Sequence, residues 1–163
     1  MQREHEEYLR LSLCHLERTT PLPIAHMFGF VATDLGQACL TESVRTLDGT
    51  LGRSWRSIAK AGDVTPRDVA ALQAMGRDLL ALGVRCSDMT ASNVVLGHRT
   101  FAGGLGAYKA VLVDGFGATH AVPVRTWSGA ANRLAIHKRM ERMGRAAGVT
   151  WDRATMSYTP KDS

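Results

Sequence analysis

The 163-residue chain is 45% hydrophobic and 21% charged, the balance of one globular domain rather than of a disordered chain or of two domains. Three widely separated cysteines, Cys14, Cys39 and Cys86, without a CxxC pair, disfavour a disulfide scaffold and a zinc centre, and no apolar run approaches the ~20 residues that span a bilayer. The net charge of +5 is unevenly placed: residues 1–60 hold seven basic and seven acidic side chains, residues 61–124 five and five, and residues 125–163 eight and three, so the excess sits in the last quarter. That segment suits either an anionic partner or a solvated helix face. The polar, acidic N-terminus is unlike a signal peptide, which with the unpaired cysteines implies a cytoplasmic protein.

Along the chain, Tyr8, Leu9, Leu11, Leu13 and Leu16 recur at near-helical spacing and predict an amphipathic helix over residues 4–16, ended by Thr19-Thr20-Pro21-Leu22-Pro23. Residues 26–32 and 38–44 read as strands joined by the turn Thr33-Asp34-Leu35-Gly36, and Leu47-Asp48-Gly49-Thr50 as a loop. Thr65-Pro66-Arg67-Asp68 opens the clearest helix, with Thr65 as N-cap, Pro66 in the first turn and Asp68 three residues beyond the cap. Val69, Leu72, Gly76 and Leu79 share its apolar face and Gly83 stops it, which makes this helix central. Residues 94–96 and 110–113 read as strands joined by the glycine-rich stretch 97–106. A last helix over 128–147 turns Ile136, Met140, Met143 and Ala147 to one side and Lys138, Arg142 and Arg145 to another. Residues 152–163 read as a frayed end.

The chemistry lies after the central helix. Cys86-Ser87-Asp88-Met89-Thr90-Ala91-Ser92-Asn93 leads into one predicted strand, and the next delivers Val113-Asp114-Gly115-Phe116-Gly117. An Asp, then an Asn five positions on at the mouth of a strand, then an Asp followed by glycine, is an arrangement used for phosphoryl transfer. The first Asp orients the acceptor hydroxyl and takes its proton, while the Asn and the second Asp supply the hard oxygens that magnesium requires. Each fragment alone is also ordinary turn chemistry. Gly103-Gly104-Leu105-Gly106, with Lys109 following, lacks the GxxxxGK spacing of a phosphate loop and reads as a hairpin tip.

The order of helix, hairpin, hinge-like Thr41-Glu42-Ser43-Val44, central helix, Asp-to-Asn loop and Asp-Gly-Phe-Gly resembles the protein-kinase-like fold from its regulatory helix onward. More specifically, Val31-Ala32-Thr33-Asp34-Leu35-Gly36, Asn93-Val94-Val95-Leu96-Gly97-His98-Arg99, and Asp114 through Val122-Pro123-Val124-Arg125-Thr126-Trp127 resemble the YrbL family, described as part of the PhoP regulatory network. The resemblance implies an α+β, kinase-like chain. Residues 1–150 would form a single domain, with a small-lobe remnant over 1–45 and a mostly helical large-lobe core over 46–150, and 151–163 would be a flexible tail. It makes Asp88 the candidate catalytic base, Asn93 and Asp114 candidate magnesium ligands, and Glu7 the regulatory-helix acid on the cofactor side, with ATP and magnesium as cofactors.

The departures bear on function. Cys86-Ser87 stand where a kinase carries His-Arg, and Thr90 stands where many kinases carry a phosphate-contacting Lys. Only six residues precede Glu7, whereas a glycine-rich strand pair with its nucleotide-binding Lys needs about 30 to 40. Two readings follow: a regulatory, weakly active or inactive protein on a kinase-like fold, or an ATP- and magnesium-dependent phosphotransferase whose N-terminal segment is missing from this chain. The partner would be a protein or small-molecule acceptor. Nothing beyond charge suggests nucleic acid. The six dispersed histidines form no HxxxH or HExxH pair and read as surface or core residues, and Trp127 reads as a packing anchor.

Overall fold

The computed structural model describes residues 2–100, 104–117 and 129–161. The Val122-to-Trp127 stretch, including the expected packing role of Trp127, lies outside the described residues. The architecture is α+β. Helix α1 (Gln2–Cys14) leads to the hairpin β1 (Met27–Thr33) and β2 (Gly36–Thr41), then β3 (Arg53–Ser54), α2 (Trp55–Ala61), α3 (Pro66–Ala81), β4 (Val94–His98), β5 (Tyr108–Leu112), α4 (Gly129–Arg145), β6 (Val149–Asp152) and β7 (Ser157–Pro160). Among the described residues these strands form three small antiparallel sheets: β1-β2, β3-β4-β5 and β6-β7.

Helix α3 is the axis of the core. Its N-terminus is closed by the expected capping box: the Thr65 hydroxyl accepts from the Asp68 amide at 3.2 Å, and the Asp68 carboxylate accepts from the Thr65 amide at 2.9 Å. Leu72, Met75, Leu79 and Leu80 are buried along it, against Val94, Leu96 and Leu112 of the sheet and Ile136, Met140 and Met143 of α4. Gly76 makes the α3–α4 approach possible, because a Cβ there would stand 2.4 Å from Met140 Cε. On α4, Lys138, Arg142 and Arg145 face solvent while Ile136, Met140 and Met143 point inward, the division that its spacing predicts.

Three departures from the sequence reading have physical causes. Residues 149–160 form a β-hairpin rather than a frayed end, so the flexible tail expected over 151–163 is corrected for this stretch. Trp151 is buried, meets Tyr158 ring to edge at 4.9 Å and donates through Nε1 to His137 Nδ1 at 3.0 Å, while the Tyr158 hydroxyl donates to the Met140 carbonyl at 2.8 Å. Two aromatic anchors supply what a polar, short segment lacks by itself. The second departure is α2, in a stretch for which no element is expected; Ser54 caps it, and Trp55 and Ile58 bury one face, with Trp55 Nε1 donating to the Met143 carbonyl at 3.1 Å. Third, the strand expected to run to Val44 ends at Thr41. Glu42 there turns inward to a buried ion pair with Arg99, whose guanidinium also donates to the carbonyls of Leu22 and Ile24.

Candidate functional site

The segment 84–93 follows α3, and residues 113–117 follow β5. The β4–β5 register sets Val94 opposite Leu112, so Asn93 and Val113 emerge from neighbouring strands at the same end. The Asn93 carbonyl accepts from the Val113 amide at 2.8 Å. Beyond the strands the two segments pair with each other around a Cys86–Phe116 bridge. Here the Asp88 amide donates to the Gly115 carbonyl and the Gly117 amide to the Arg85 carbonyl, each at 2.8 Å. These backbone bonds tie the two loops to each other.

Side chains complete the arrangement. Asn93 Nδ2 donates to the Asp88 carbonyl at 2.9 Å, and Asp114 Oδ1 accepts from the Gly115 amide at 2.6 Å. The Ser87 hydroxyl donates to the Gly115 carbonyl at 3.1 Å. Asp88 and Asp114 are exposed and Asn93 is half-buried. The glycine after Asp114 is required by space as well as by conformation: Gly115 has φ +77°, and a Cβ there would lie 2.1 Å from the Asp88 carbonyl oxygen and 3.1 Å from Asn93 Nδ2. Gly117, at φ +99°, is similarly pressed against the Arg3 carbonyl, 2.7 Å from a would-be Cβ, so α1 rests directly on this loop.

Asp88, Asn93 and Asp114, separated by up to 26 positions in sequence, therefore meet at one end of the sheet. Their donor set suits a hard divalent cation: Asn93 directs its amide nitrogen to the Asp88 carbonyl, which leaves its Oδ1 as an oxygen donor, and the Asp114 carboxylate offers a further oxygen besides the one that accepts from Gly115. Among the described residues, no group of three or more His, Cys, Asp or Glu side chains is arranged to hold a metal.

Glu7 has a different setting. It is buried, and its carboxylate accepts from Arg10 at 2.6 and 2.9 Å and from the Arg85 amide at 2.9 Å, with the Arg85 guanidinium at 3.8 Å. The acid of α1 thus clamps the helix to the start of the 85–93 loop. Among the described residues its cationic partners are arginines, with no lysine.

Two residues of α4 that sequence reasoning passed over hold the same loop from the other side. Asn132 accepts from the Cys86 amide at 3.3 Å and donates to the Val84 carbonyl at 2.8 Å. Arg139 donates to the carbonyls of Cys86 and Ser87 at 3.0 and 2.8 Å. No local pattern marks them, since a lone Asn and one Arg among several are ordinary on a basic helix. Arg139 nonetheless returns positive charge to the backbone just ahead of Asp88, where Cys86-Ser87 carry none. Burial pushes the Cys86 thiol up to about 12, so it packs as an inert apolar group beneath the loop.

No helix among the described residues is long and apolar enough to cross a membrane. The chain matches no curated protein and no solved structure. Residues 1–148 match the family model described as PhoP regulatory network protein YrbL, and with nine-tenths of its length within that match, the chain belongs to the YrbL family.

Proposed function

We propose that this YrbL-family chain is kinase-like, that its 85–93 and 113–117 loops form a magnesium-dependent phosphate-handling site, and that the 163-residue form uses the site in regulation rather than in rapid phosphoryl transfer. The observation that carries the reading is the backbone lock between Asp88 and Gly115, with Asn93 bonded across to Asp88. Asp88, exposed at the rim, would orient an acceptor hydroxyl and take up its proton. Asn93 Oδ1 and the Asp114 carboxylate would hold magnesium, which when bound with ATP spreads the charge of the phosphates. Arg139 and Asn132 keep the loop backbone from rearranging as charge shifts.

The regulatory side of the reading is supported by Glu7. In a kinase-like site this acid pairs with the lysine that grips the nucleotide, whereas here Arg10 and Arg85 occupy it. Nucleotide affinity of this form should accordingly be weak, since positioning supplies most of the catalysis in phosphoryl transfer. The second reading, an ATP- and magnesium-dependent phosphotransferase acting on a protein or small-molecule acceptor, is favoured by the solvent-exposed carboxylate of Asp88.

Titration with Mn²⁺ as a paramagnetic stand-in for magnesium tests the site. The amides of Asp88, Asn93 and Asp114 should broaden first, and Asp114→Ala should abolish the effect; broadening elsewhere or nowhere refutes it. Calorimetry with Mg-ATP separates the two readings, because micromolar affinity lost in Asp114→Ala would favour the enzyme.

A further inference from the structure

The side of β5 that faces away from β4 is covered over only part of its length. At its end the Leu112 amide donates to the Pro23 carbonyl and the Leu112 carbonyl accepts from the Ala25 amide, each at 3.0 Å, so residues 23–25 run parallel to β5 around an Ile24–Leu112 bridge. Backbone groups two residues apart on a strand point the same way, so the Ala110 N–H and C=O face the same side as those of Leu112. Continuing the parallel ladder would require the amide of residue 23 to donate to the Ala110 carbonyl, and Pro23 has no N–H. Leu22 directs its carbonyl to Arg99 instead. Among the described residues the Ala110 N–H and C=O have no hydrogen-bond partner, although Ala110 is only 4% exposed. The opening is thus set by Pro23, within the chain.

A cavity of about 380 Å³ lies at this point, lined by Pro21 and Leu22, by Ala74 and Met75 of α3, and by Lys109 and Ala110 of β5. Its size is at the lower end of the roughly 300–1,000 Å³ of ligand pockets. Two arginines also border it, but Arg18 is paired with Asp78 at 3.0 Å and Arg99 with Glu42. Lys109, which is exposed, has no acidic partner among the described residues, so the cavity wall carries one uncompensated positive charge.

We propose that this cleft is a docking site for a short extended peptide bearing an apolar side chain and a carboxylate, which adds to the β5 edge in line with residues 23–25. Three features select that occupant. An extended residue brings together the acceptor and the donor that Ala110 lacks, as in other cases of strand addition. Pro21, Leu22, Ala74 and Met75 give its side chain an apolar wall. The uncompensated Lys109 attracts its carboxylate. Water meets the first requirement and neither of the others. The cleft lies toward the start of β5, away from the Asp114 loop at its end, and the proposal stands apart from the role assigned to that loop.

Titration of the isotope-labelled 163-residue chain with the probe acetyl-Val-Leu-Val-Glu-amide, followed by amide NMR up to about 5 mM, provides the test. The expected result is a saturable shift centred on Tyr108, Lys109 and Ala110. The same peptide N-methylated at every amide should give none, because it has no N–H to offer the Ala110 carbonyl. Lys109→Glu should weaken binding at least about fivefold. Ala74→Phe, which fills the cavity from a half-buried position, should abolish it with unchanged circular dichroism, while Lys138→Glu on α4 should leave it unaltered. Shifts that are absent at the highest concentration or centred elsewhere overturn the proposal. So does equal binding by the N-methylated peptide or by isovalerate, a branched carboxylate without amides, or binding indifferent to both cleft substitutions.

Discussion

Replacing Gly115 by alanine probes the crossing of the two loops, and Gly83 supplies the matched control. Both glycines adopt left-handed backbone, at φ +77° and +59°, where a non-glycine residue costs about 1 kcal/mol. Around Gly83 nothing lies within 4 Å of a would-be Cβ, so Gly83→Ala should cost only that conformational term. At Gly115 the new methyl would stand 2.1 Å from the Asp88 carbonyl oxygen and 2.6 Å from its carbon, more than 1 Å inside ordinary contact. The methyl is fixed to one backbone and meets another, so relief requires separating the loops. That breaks the hydrogen bonds that the Gly115 carbonyl accepts from the Asp88 amide and the Ser87 hydroxyl, at about 1 kcal/mol each. Gly115→Ala should therefore destabilise by about 3 kcal/mol, or roughly 6–12 °C in Tm for a chain of this length, against about 1 kcal/mol for Gly83→Ala. Urea denaturation followed by circular dichroism measures both, and amide exchange at Asp88 should accelerate only in the Gly115 variant. Equal losses in the two variants, within about 0.5 kcal/mol, would refute the argument that this crossing is sterically locked.

Glu7→Ala should cost about 2 kcal/mol in urea denaturation, since it strands the Arg85 amide and removes the buried acceptor of the partly exposed Arg10, which keeps its bond to the Gly83 carbonyl. Trp151→Ala should cost about 3–5 kcal/mol and release the C-terminal hairpin to proteolysis, because it empties the contact between α3, α4 and Tyr158. Joint replacement of Lys138, Arg142 and Arg145 by glutamate should change stability by only about 1 kcal/mol, the scale of lost helix-end electrostatics, in a thermal melt. Stability should also fall between pH 7.5 and 5.5. Burial, reinforced by Arg153 and Arg133, holds the His137 imidazole below its usual range, and burial does the same at His26. Neutral histidine is thus favoured by the fold, and its contribution is complete above the ordinary value of 6.5 and is lost as pH falls through the lowered one. Protonated His137 can no longer accept from Trp151 Nε1, so urea midpoints at the two pH values should converge in part for His137→Gln.

Local chemistry made the main elements legible in the amino-acid sequence. The capping box at Thr65, the 3.6-residue periodicity of α3 and α4, and the turn between β1 and β2 each act over a few residues, and the structure has them within one to three positions of where they were expected. The candidate residues Asp88, Asn93 and Asp114 were legible for the same reason, as short motifs beside predicted strands. Their meeting was a matter of register: pairing Val94 with Leu112 decides that the two loops leave the sheet together. Only the tertiary structure could assign Glu7 to the Arg85 amide, bring Asn132 and Arg139 of α4 beneath the Asp88 loop, and fold residues 149–160 onto α3 and α4. Those outcomes depend on partners 14 to 85 positions away. No window of sequence carries them, because burial and hydrogen-bond satisfaction are properties of the whole packed chain.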